Sequence, residues 1–214
     1  MRILAMVSQK GGVGKTTLGG HLAVEAERAG AGPVALLDTD PQGSLAAWWN
    51  ARTAETPIFV RGDLDKLNPQ LSELAETGIR LVIIDTPPAI TENIRAVVQL
   101  ADLVLIPTRP SPHDLRAVGA TVDLVEGTGK PMLFIVNGAT TRTRISADAA
   151  VALSQHGTVA PVTVHQRVDF AVSMIDGRTV GELDPASNSA REIAALWEYV
   201  NTRVEKSGKV ATHV

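Results

Sequence analysis

Residues 8 to 18, SQKGGVGKTTL, have the composition of a loop that binds phosphate. Glycines carry no Cβ, so consecutive backbone N–H groups can close around phosphate oxygens, and a following helix N-terminus adds partial positive charge. Lys15 stands where it would reach the β- and γ-phosphates of a nucleotide, and Thr16 where its hydroxyl would ligate Mg²⁺. Thr17 would help to hold the α-phosphate. The residues predicted to bind nucleotide in this loop are Gly11, Gly12, Val13, Gly14, Lys15, Thr16 and Thr17.

The loop departs from the general phosphate-loop pattern and carries an additional lysine. In G-x-x-x-x-G-K-[ST] the first glycine would stand at position 9, which is Gln9. The variant here is K-G-G-x-G-K-T-T, and its first residue is Lys10. A phosphate loop needs one lysine, which is Lys15, so a simple interpretation of Lys10 is a solvated loop charge.

Three aspartates follow two other apolar runs. Asp38 and Asp40 stand in DTDPQG, and Asp85 stands in IIDTPP. A single aspartate at the end of a strand commonly caps a turn, but three beside a phosphate loop indicate a metal and water site. Mg²⁺ takes carboxylates directly or through water. One carboxylate could also position the water that attacks a γ-phosphate.

The elements around these motifs predict an α/β fold. Continuously apolar runs predict strands that are buried on both faces, and helical patterns alternate with them. This alternation predicts a doubly wound, mostly parallel sheet with helices on both faces, in which ligands bind at the carboxyl ends of strands. The predicted strands are residues 2–7, 33–38, 58–60, 80–85, 102–107, 132–136 and 158–164, and the predicted helices are residues 16–28, 43–51, 64–74, 112–126, 146–155 and 187–205.

Composition limits the possible functions. The chain has 214 residues and 44 % hydrophobic residues, which suits one domain, expected over residues 1–206, with a short flexible tail over 207–214. The absence of cysteine excludes disulfides, thiolate metal sites and cysteine nucleophiles. A net charge of −3 means that any nucleic-acid binding would need a local basic patch or an assembly. No signal peptide or membrane span is expected.

With these motifs together, the sequence resembles the ParA/MinD family of deviant Walker-type ATPases, a subgroup of the P-loop NTPases. The hallmark stretches are KGGVGKTT (10–17), DTDPQG (38–43) and IIDTPP (83–88), in the family's order. The resemblance covers residues 1 to about 206. DPQGS resembles the ParA branch, and the expected protein is a small ParA-like one without an N-terminal DNA-binding domain.

The resemblance implies a slow, partner-stimulated ATPase that uses ATP/ADP and Mg²⁺. In this family the first lysine of the loop reaches the partner's ATP in a sandwich dimer, a role that would fall to Lys10. Asp40 matches the water-positioning aspartate, Asp38 its neighbour near Mg²⁺, and Asp85 the Walker B aspartate. Asn137 matches an asparagine that hydrogen-bonds adenine, although it could simply form a turn before Gly138. The implied catalytic residues are Lys10, Lys15 and Asp40, and the implied metal ligands are Thr16, Asp38 and Asp85.

The resemblance also implies partners and a location. ParA relatives bind nonspecific DNA as ATP-bound homodimers and are released by a ParB-like or other cargo adaptor protein. The protein would therefore be cytoplasmic and nucleoid-associated when ATP is bound, and would segregate a plasmid or chromosome region or position a protein assembly. The candidate DNA-binding residues are Arg142, Arg144, Arg167, Arg178, Arg203 and Lys206.

Other members of the wider fold offer alternatives. The main alternative is a MinD-like membrane-associated spatial regulator, but no C-terminal amphipathic helix is visible, so no stable membrane association is expected. Iron–sulfur carriers of this fold use cysteines. A ligase resembling dethiobiotin synthetase is disfavoured by Lys10 and DTDPQG. A tyrosine kinase is disfavoured because Tyr199 is the only tyrosine.

Overall fold

The computed structural model describes residues 1–210, in which strands and helices alternate along the chain. The strands are β1 (Arg2–Met6), β2 (Val34–Asp38), β3 (Ile58–Arg61), β4 (Leu81–Asp85), β5 (Leu103–Thr108), β6 (Met132–Ala139), β7 (Thr158–Val159) and β8 (Val164–His165). The helices are α1 (Lys15–Arg28), α2 (Ser44–Asn50), α3 (Leu67–Glu76), α4 (Glu92–Leu100), α5 (Pro112–Ala117), α6 (Gly119–Glu126), α7 (Ile145–Ser154), α8 (Val168–Ile175), α9 (Val180–Leu183) and α10 (Asn188–Val210). A short 3-10 turn, Leu64–Lys66, leads into α3.

The strands form a parallel sheet in the order β3–β2–β4–β1–β5–β6–β7, and β8 pairs with the end of β6. β1 lies between β4 and β5. The strands β2, β3 and β4 lie on one side of β1 and the later strands lie on the other side, so the strand order reverses at β1. Ligands of open α/β sheets bind outside the carboxyl ends of strands at such a position. The predicted doubly wound parallel sheet is confirmed.

The register of the central strands brings two aspartates together. Asp38, the last residue of β2, is in register with Asp85, the last residue of β4. Met6, the last residue of β1, is in register with the same Asp85. Residues in register on neighbouring strands share one face of the sheet at a spacing of about 4.8 Å. The sheet therefore delivers two carboxylates beside the loop that follows β1.

Helices cover both faces of the sheet because the side chains of each strand alternate between the faces. Leu4 and Met6 of β1 pack with α1, α2, α9 and α10, whereas Ala5 belongs to the core under α3, α4, α6 and α7. The side of α10 that faces the sheet is a stripe of buried residues, which are Ile193, Leu196, Trp197, Val200 and Val204. In residues 1–210, no helix is long and apolar enough to cross a membrane.

Several elements differ from the sequence prediction. The predicted helix 112–126 is two helices, α5 and α6, which meet at Val118. The predicted strand 158–164 is two short strands, β7 and β8. The helices α4, α8 and α9 have no counterpart among the predicted helices. In α8 apolar side chains lie on both sides of the helix, since Phe170 and Met174 pack against the core whereas Val168, Val172 and Ile175 are exposed. The run therefore has few polar residues that would mark it as a surface helix.

The last helix extends beyond its predicted end near residue 205 and runs to Val210. The tail expected over residues 207–214 therefore falls partly on this helix. Residues 211–214 of that tail lie outside the described residues.

The segment α2 is clamped to the loop that follows α8. The indole Nε1 of Trp48 donates to the carbonyl of Arg178 at 3.2 Å. The buried guanidinium of Arg52 donates to the carbonyl of Gly177 at 2.6 Å and to both carboxylate oxygens of Glu182 at 3.1 and 2.9 Å. It also lies 5.0 Å from the Trp48 ring centroid. These contacts fix α2, which follows the Asp38–Asp40 loop, against the far end of α8.

His21 joins α1 to the middle of α8. Its Nδ1 lies 2.7 Å from the carbonyl of Thr17 and its Nε2 lies 3.3 Å from the hydroxyl of Ser173. The ring also contacts Phe170 at a centroid distance of 5.2 Å. Burial lowers the pKa of His21 to about 4, because a buried imidazolium loses its hydration.

Replacing His21 should make the protein less sensitive to mild acid. The folded pKa of about 4 lies below the reference value of 6.5, so stability is fully present above pH 6.5 and falls as the pH drops towards 4. At about pH 5 this group alone costs roughly 2 kcal/mol of unfolding free energy. Urea unfolding at about pH 7.5 and about pH 5 should show that part of the loss disappear in His21→Gln.

The exposed His156 provides the matched control for this measurement. His156→Gln should keep the wild-type difference between the two pH values. If His21→Gln also keeps that difference, His21 is not the acid-sensitive group of the core.

Candidate nucleotide-binding site

The loop between β1 and α1 has the backbone conformation of a phosphate cradle. Gly12 and Gly14 adopt φ values of 73° and 99°, which disfavour side chains. An ideal Cβ at Gly14 would lie 2.2 Å from Nδ2 of Asn137, so only glycine fits there. Gly14 also precedes α1 without a side-chain cap, which leaves the first N–H groups of the helix available to an anion.

A pocket of about 410 Å³ opens in front of this loop. Another pocket, of about 550 Å³, lies near Arg2 and Arg80 at the amino ends of the strands. Its lining does not include any residue of the glycine loop. The 410 Å³ pocket is therefore the candidate nucleotide site. Its lining residues are Gly11, Gly12, Gly14, Lys15, Thr16, Thr17, Asp40, Gln42, Ser44, Pro88, Arg109 and Met174.

Lys15 is the buried cation of the site. Its Nζ lies 3.5 Å from the carbonyl of Ser8 and 3.3 Å from the carbonyl of Lys10, inside the curve of the loop. Burial lowers the pKa of Lys15, and the charges of Asp85 and Asp40 partly oppose that shift. A buried ammonium held by neutral carbonyls is well placed to exchange them for phosphate oxygens.

Asp85 is the buried carboxylate opposite Lys15. Its Oδ2 accepts a hydrogen bond of 2.6 Å from the hydroxyl of Thr16. Its Oδ1 is buried and has no hydrogen-bond partner among the described residues. Burial raises the pKa of Asp85 to about 7, and the charge of Asp38 adds to that shift. The site therefore holds a carboxylate that lacks a counter-charge on one oxygen.

This arrangement fits Mg²⁺ held jointly with a nucleotide. Nowhere in residues 1–210 do three or more His, Cys, Asp or Glu side chains group as a metal cage. Mg²⁺ does not require one, since it commonly binds one or two carboxylates together with phosphates and water. Thr16 and the unpaired oxygen of Asp85 are suitable protein ligands.

Asp38 is buried and shapes the next loop. Its Oδ1 accepts from the backbone N–H of Asp40 at 3.0 Å, and its Oδ2 accepts from the N–H of Ala46 at 3.1 Å. Burial raises the pKa of Asp38 against these hydrogen bonds. Asp38 therefore holds the start of α2, in addition to any role near a metal. Asp40 lines the pocket, and its Oδ1 accepts from the N–H of Gln42 at 2.9 Å.

Lys10 and Lys15 point to different places although they share one loop. Nζ of Lys10 lies 2.8 Å from Oδ1 of Asp114 on α5. The side chain of Lys10 is 38 % exposed, and the residue does not line the pocket that Lys15 lines. The loop motif predicts a role for Lys10, but Asp114 is not among the predicted site residues. The available signal was local, since Ser111 caps α5 and Asp114 follows it at the third helical position.

Asn137 is a neighbour of the phosphate loop. The predicted strand ends at residue 136, before Asn137, but β6 continues to Ala139 because Asn137 and Ala139 pair with β8. The Nδ2 of Asn137 donates to the carbonyl of Val13 at 2.7 Å. The contact with adenine stays a prediction, whereas the contact with the loop is direct.

The basic residues predicted to bind DNA are in different situations. Both terminal nitrogens of Arg167 donate to Glu192, at 2.6 and 2.7 Å, and Arg178 pairs with Asp176 at 2.7 Å. Arg203 donates to Thr158 at 3.1 Å. Arg142, Arg144 and Lys206 are exposed, and the first two lie on the loop between β6 and α7.

Comparison with known proteins gives two related sequences of the same name. The maintenance of carboxysome distribution protein A from Gloeobacter kilaueensis is 46 % identical over 125 residues, 56 % of this chain and 55 % of that protein. Its namesake from Halothiobacillus neapolitanus is 28 % identical over 200 residues, 88 % of this chain and 91 % of that protein. The first match thus spans only about half of the Gloeobacter protein.

A solved structure shows the same fold. The ATP complex of an McdA variant from Cyanothece superposes with a TM-score of 0.74 at 19 % identity, covering 96 % of each chain. The family model of the CobQ/CobB/MinD/ParA nucleotide binding domain matches residues 4–210, which includes every element of the site described above. The chain therefore belongs to the CobQ/CobB/MinD/ParA family of nucleotide-binding domains.

Proposed function

We propose that this protein is a ParA-like positioning ATPase, which forms a sandwich dimer with ATP and is released by partner-stimulated hydrolysis. The observation that carries the proposal is the divergence of the two loop lysines. Lys15 is buried in the phosphate loop, whereas Lys10 is partly exposed and directed outside its own pocket. One subunit thus has a cation for its own nucleotide and another at the rim, where a second subunit could use it.

The nucleotide chemistry follows from the groups in the pocket. The loop and Lys15 would bind the phosphates, and Thr16 and Asp85 would hold Mg²⁺. When bound there, Mg²⁺ neutralises phosphate charge during hydrolysis. Asp40 lines the pocket and would orient the attacking water through its carboxylate. ATP is favoured as the nucleotide because the related Cyanothece protein was solved with ATP.

The dimer would depend on the γ-phosphate. A lysine that reaches across an interface stabilises the dimer only when an anion stands opposite it. ATP places a γ-phosphate there and ADP does not. Dimerisation would therefore depend on whether ATP or ADP is bound, and a positioning switch requires this dependence.

The cargo that we favour is a protein assembly. Two related sequences are named for the maintenance of carboxysome distribution, and one of them aligns over most of both chains. A ParB-like or other adaptor protein would link dimer and cargo and would stimulate hydrolysis. Nonspecific DNA would be the track, bound through exposed basic side chains that include Arg142 and Arg144.

Substituting the two loop lysines should separate nucleotide binding from dimerisation. Lys15→Ala should lower ATP affinity by roughly 100-fold or more, because charge-assisted hydrogen bonds to phosphate contribute about 1.5–3 kcal/mol each. Lys10→Ala should bind ATP normally but stay monomeric and inactive. Calorimetry with Mg²⁺–ATP measures nucleotide affinity, and light scattering measures dimerisation.

The exposed Lys66→Ala is the control and should match the wild type. A Lys10→Ala protein that still dimerises with ATP would show that Lys10 does not act across the interface.

Asp40 variants should trap the ATP dimer. Asp40→Ala and Asp40→Asn should both lower the hydrolysis rate by about 10²–10⁴-fold while ATP-dependent dimers persist. Asn can still accept the Gln42 N–H, so Asp40→Asn preserves the loop and tests the carboxylate alone. Phosphate release measures the rate, with Asp65→Ala as the control. Normal turnover in Asp40→Asn would remove this carboxylate as the water-positioning group.

Binding to random duplex DNA should require ATP. Fluorescence anisotropy with Mg²⁺ and ATP, ADP or no nucleotide should show binding with ATP only, weakened by salt because phosphate contacts release counterions. The double variant Arg142→Ala, Arg144→Ala should bind DNA more weakly, and its DNA binding should depend less on salt concentration. The control pair, Arg80→Ala with Lys130→Ala, removes the same charge at the amino ends of the strands. An absence of binding in every nucleotide state would exclude DNA as the track.

A further inference from the structure

Lys10 is held by a carboxylate of its own subunit. Its Nζ lies 2.8 Å from Oδ1 of Asp114, whose side chain is only 8 % exposed. The other oxygen of Asp114, Oδ2, accepts a hydrogen bond from the hydroxyl of Ser111. Both oxygens of the carboxylate are therefore engaged, one by the phosphate loop and one by the cap of α5.

The backbones on both sides of this ion pair are fixed. Gln9 N–H donates to the hydroxyl of Thr121 on α6 at 3.1 Å, and Lys10 N–H donates to the hydroxyl of Ser8 at 3.2 Å. Asp114 N–H in turn donates to Ser111 Oγ at 3.2 Å, which caps α5. The pair thus joins two anchored segments and is not a chance contact between mobile surface chains.

The charge of Asp114 makes the pair costly to break. Burial raises the pKa of this carboxyl, but the hydrogen bonds from Lys10 and Ser111 outweigh it and hold the pKa below its usual range. Arg109 is the other charged group that acts on this carboxylate. Because the Asp114 carboxylate is mostly buried, the loss of its lysine leaves a charge with little solvation. Lys10 would therefore leave only for an anion that binds it at least as well.

We propose that Asp114 is a positioning residue. It retains Lys10 on its own subunit until the γ-phosphate of a partner's ATP takes the place of the Asp114 carboxylate. This inference rests on the sandwich dimer of the proposed function. ATP bound across the interface supplies a competing anion, whereas ADP supplies none at that position. The retention would therefore set a free-energy cost that the γ-phosphate must exceed before the dimer forms.

The first arm of the test examines retention without any nucleotide. Limited acetylation followed by mass spectrometry measures the reactivity of Lys10 relative to the exposed Lys66 in the same sample. Asp114→Asn keeps the shape of the side chain and can still accept from Ser111, but it removes the charge. Labelling of Lys10 should rise at least twofold in Asp114→Asn. It should stay at the wild-type level in Asp123→Asn, which removes an exposed charge on α6. Equal labelling in Asp114→Asn and the wild type would overturn the retention.

The second arm measures dimerisation by light scattering with Mg²⁺ and ATP or ADP. Asp114→Asn should dimerise with ATP at a several-fold lower protein concentration than the wild type, with unchanged ATP affinity. In the Lys10→Ala background the same substitution should change nothing, because the cation that it releases is absent. Weaker or unchanged dimerisation of Asp114→Asn would overturn the proposal.

The two arms separate this inference from the proposed function. A wild-type protein that binds ATP but never dimerises would contradict the sandwich dimer and any control over it. The labelling comparison would still decide whether Asp114 retains Lys10, since it needs neither nucleotide nor a dimer. A merely structural role of Asp114 would not produce a change confined to Lys10.

Discussion

The buried carboxylate of Asp85 is the constraint around which the site is organised. β4 ends at this residue between β2 and β1, so its side chain cannot reach bulk water. The hydroxyl of Thr16 satisfies one oxygen, and the other oxygen has no partner in the described chain. Such a group is costly in an apolar sheet unless a cation joins it. Lys15 and a nucleotide-bound Mg²⁺ are the cations that this position can accept.

The surrounding elements convert this charged centre into a connected unit. Asp38 uses both oxygens to hold the start of α2, and Trp48 at the end of α2 donates to the loop after α8. His21 ties the middle of α8 back to Thr17 of the phosphate loop. Contacts therefore run from the carboxylates through α2 and α8 to the phosphate loop. These contacts connect the Asp38–Asp40 loop to α8, where Val168, Val172 and Ile175 are apolar and exposed.

The sequence was sufficient for the parts of the site whose signals are local. The glycine loop, Lys15 and the strand-end aspartates could be predicted because each motif directly follows an apolar run and its geometry depends on that context. The contact of Asn137 with the phosphate loop could not, because its Nδ2 donates to the carbonyl of Val13, 124 positions earlier in the chain. Asp114 was missed for a similar reason, since the 2.8 Å contact joins residues about a hundred positions apart. The helix α8 could not be predicted because its residues are apolar on both the exposed and the buried side.

The geometry of the two lysines also constrains how a switch of this kind can work. A switch is useful only when its two states are close in free energy, so that one ligand can reverse their populations. A Lys10 without an ion-pair partner would favour association with any anionic surface. Association would then depend on the net charge of that surface and not on the bound nucleotide. Lys10 is paired with a mostly buried carboxylate. On association it would therefore gain only the difference between its free energies of pairing with the new anion and with Asp114. In the proposed dimer, the loss of the γ-phosphate would remove the anion that competes with Asp114 for Lys10.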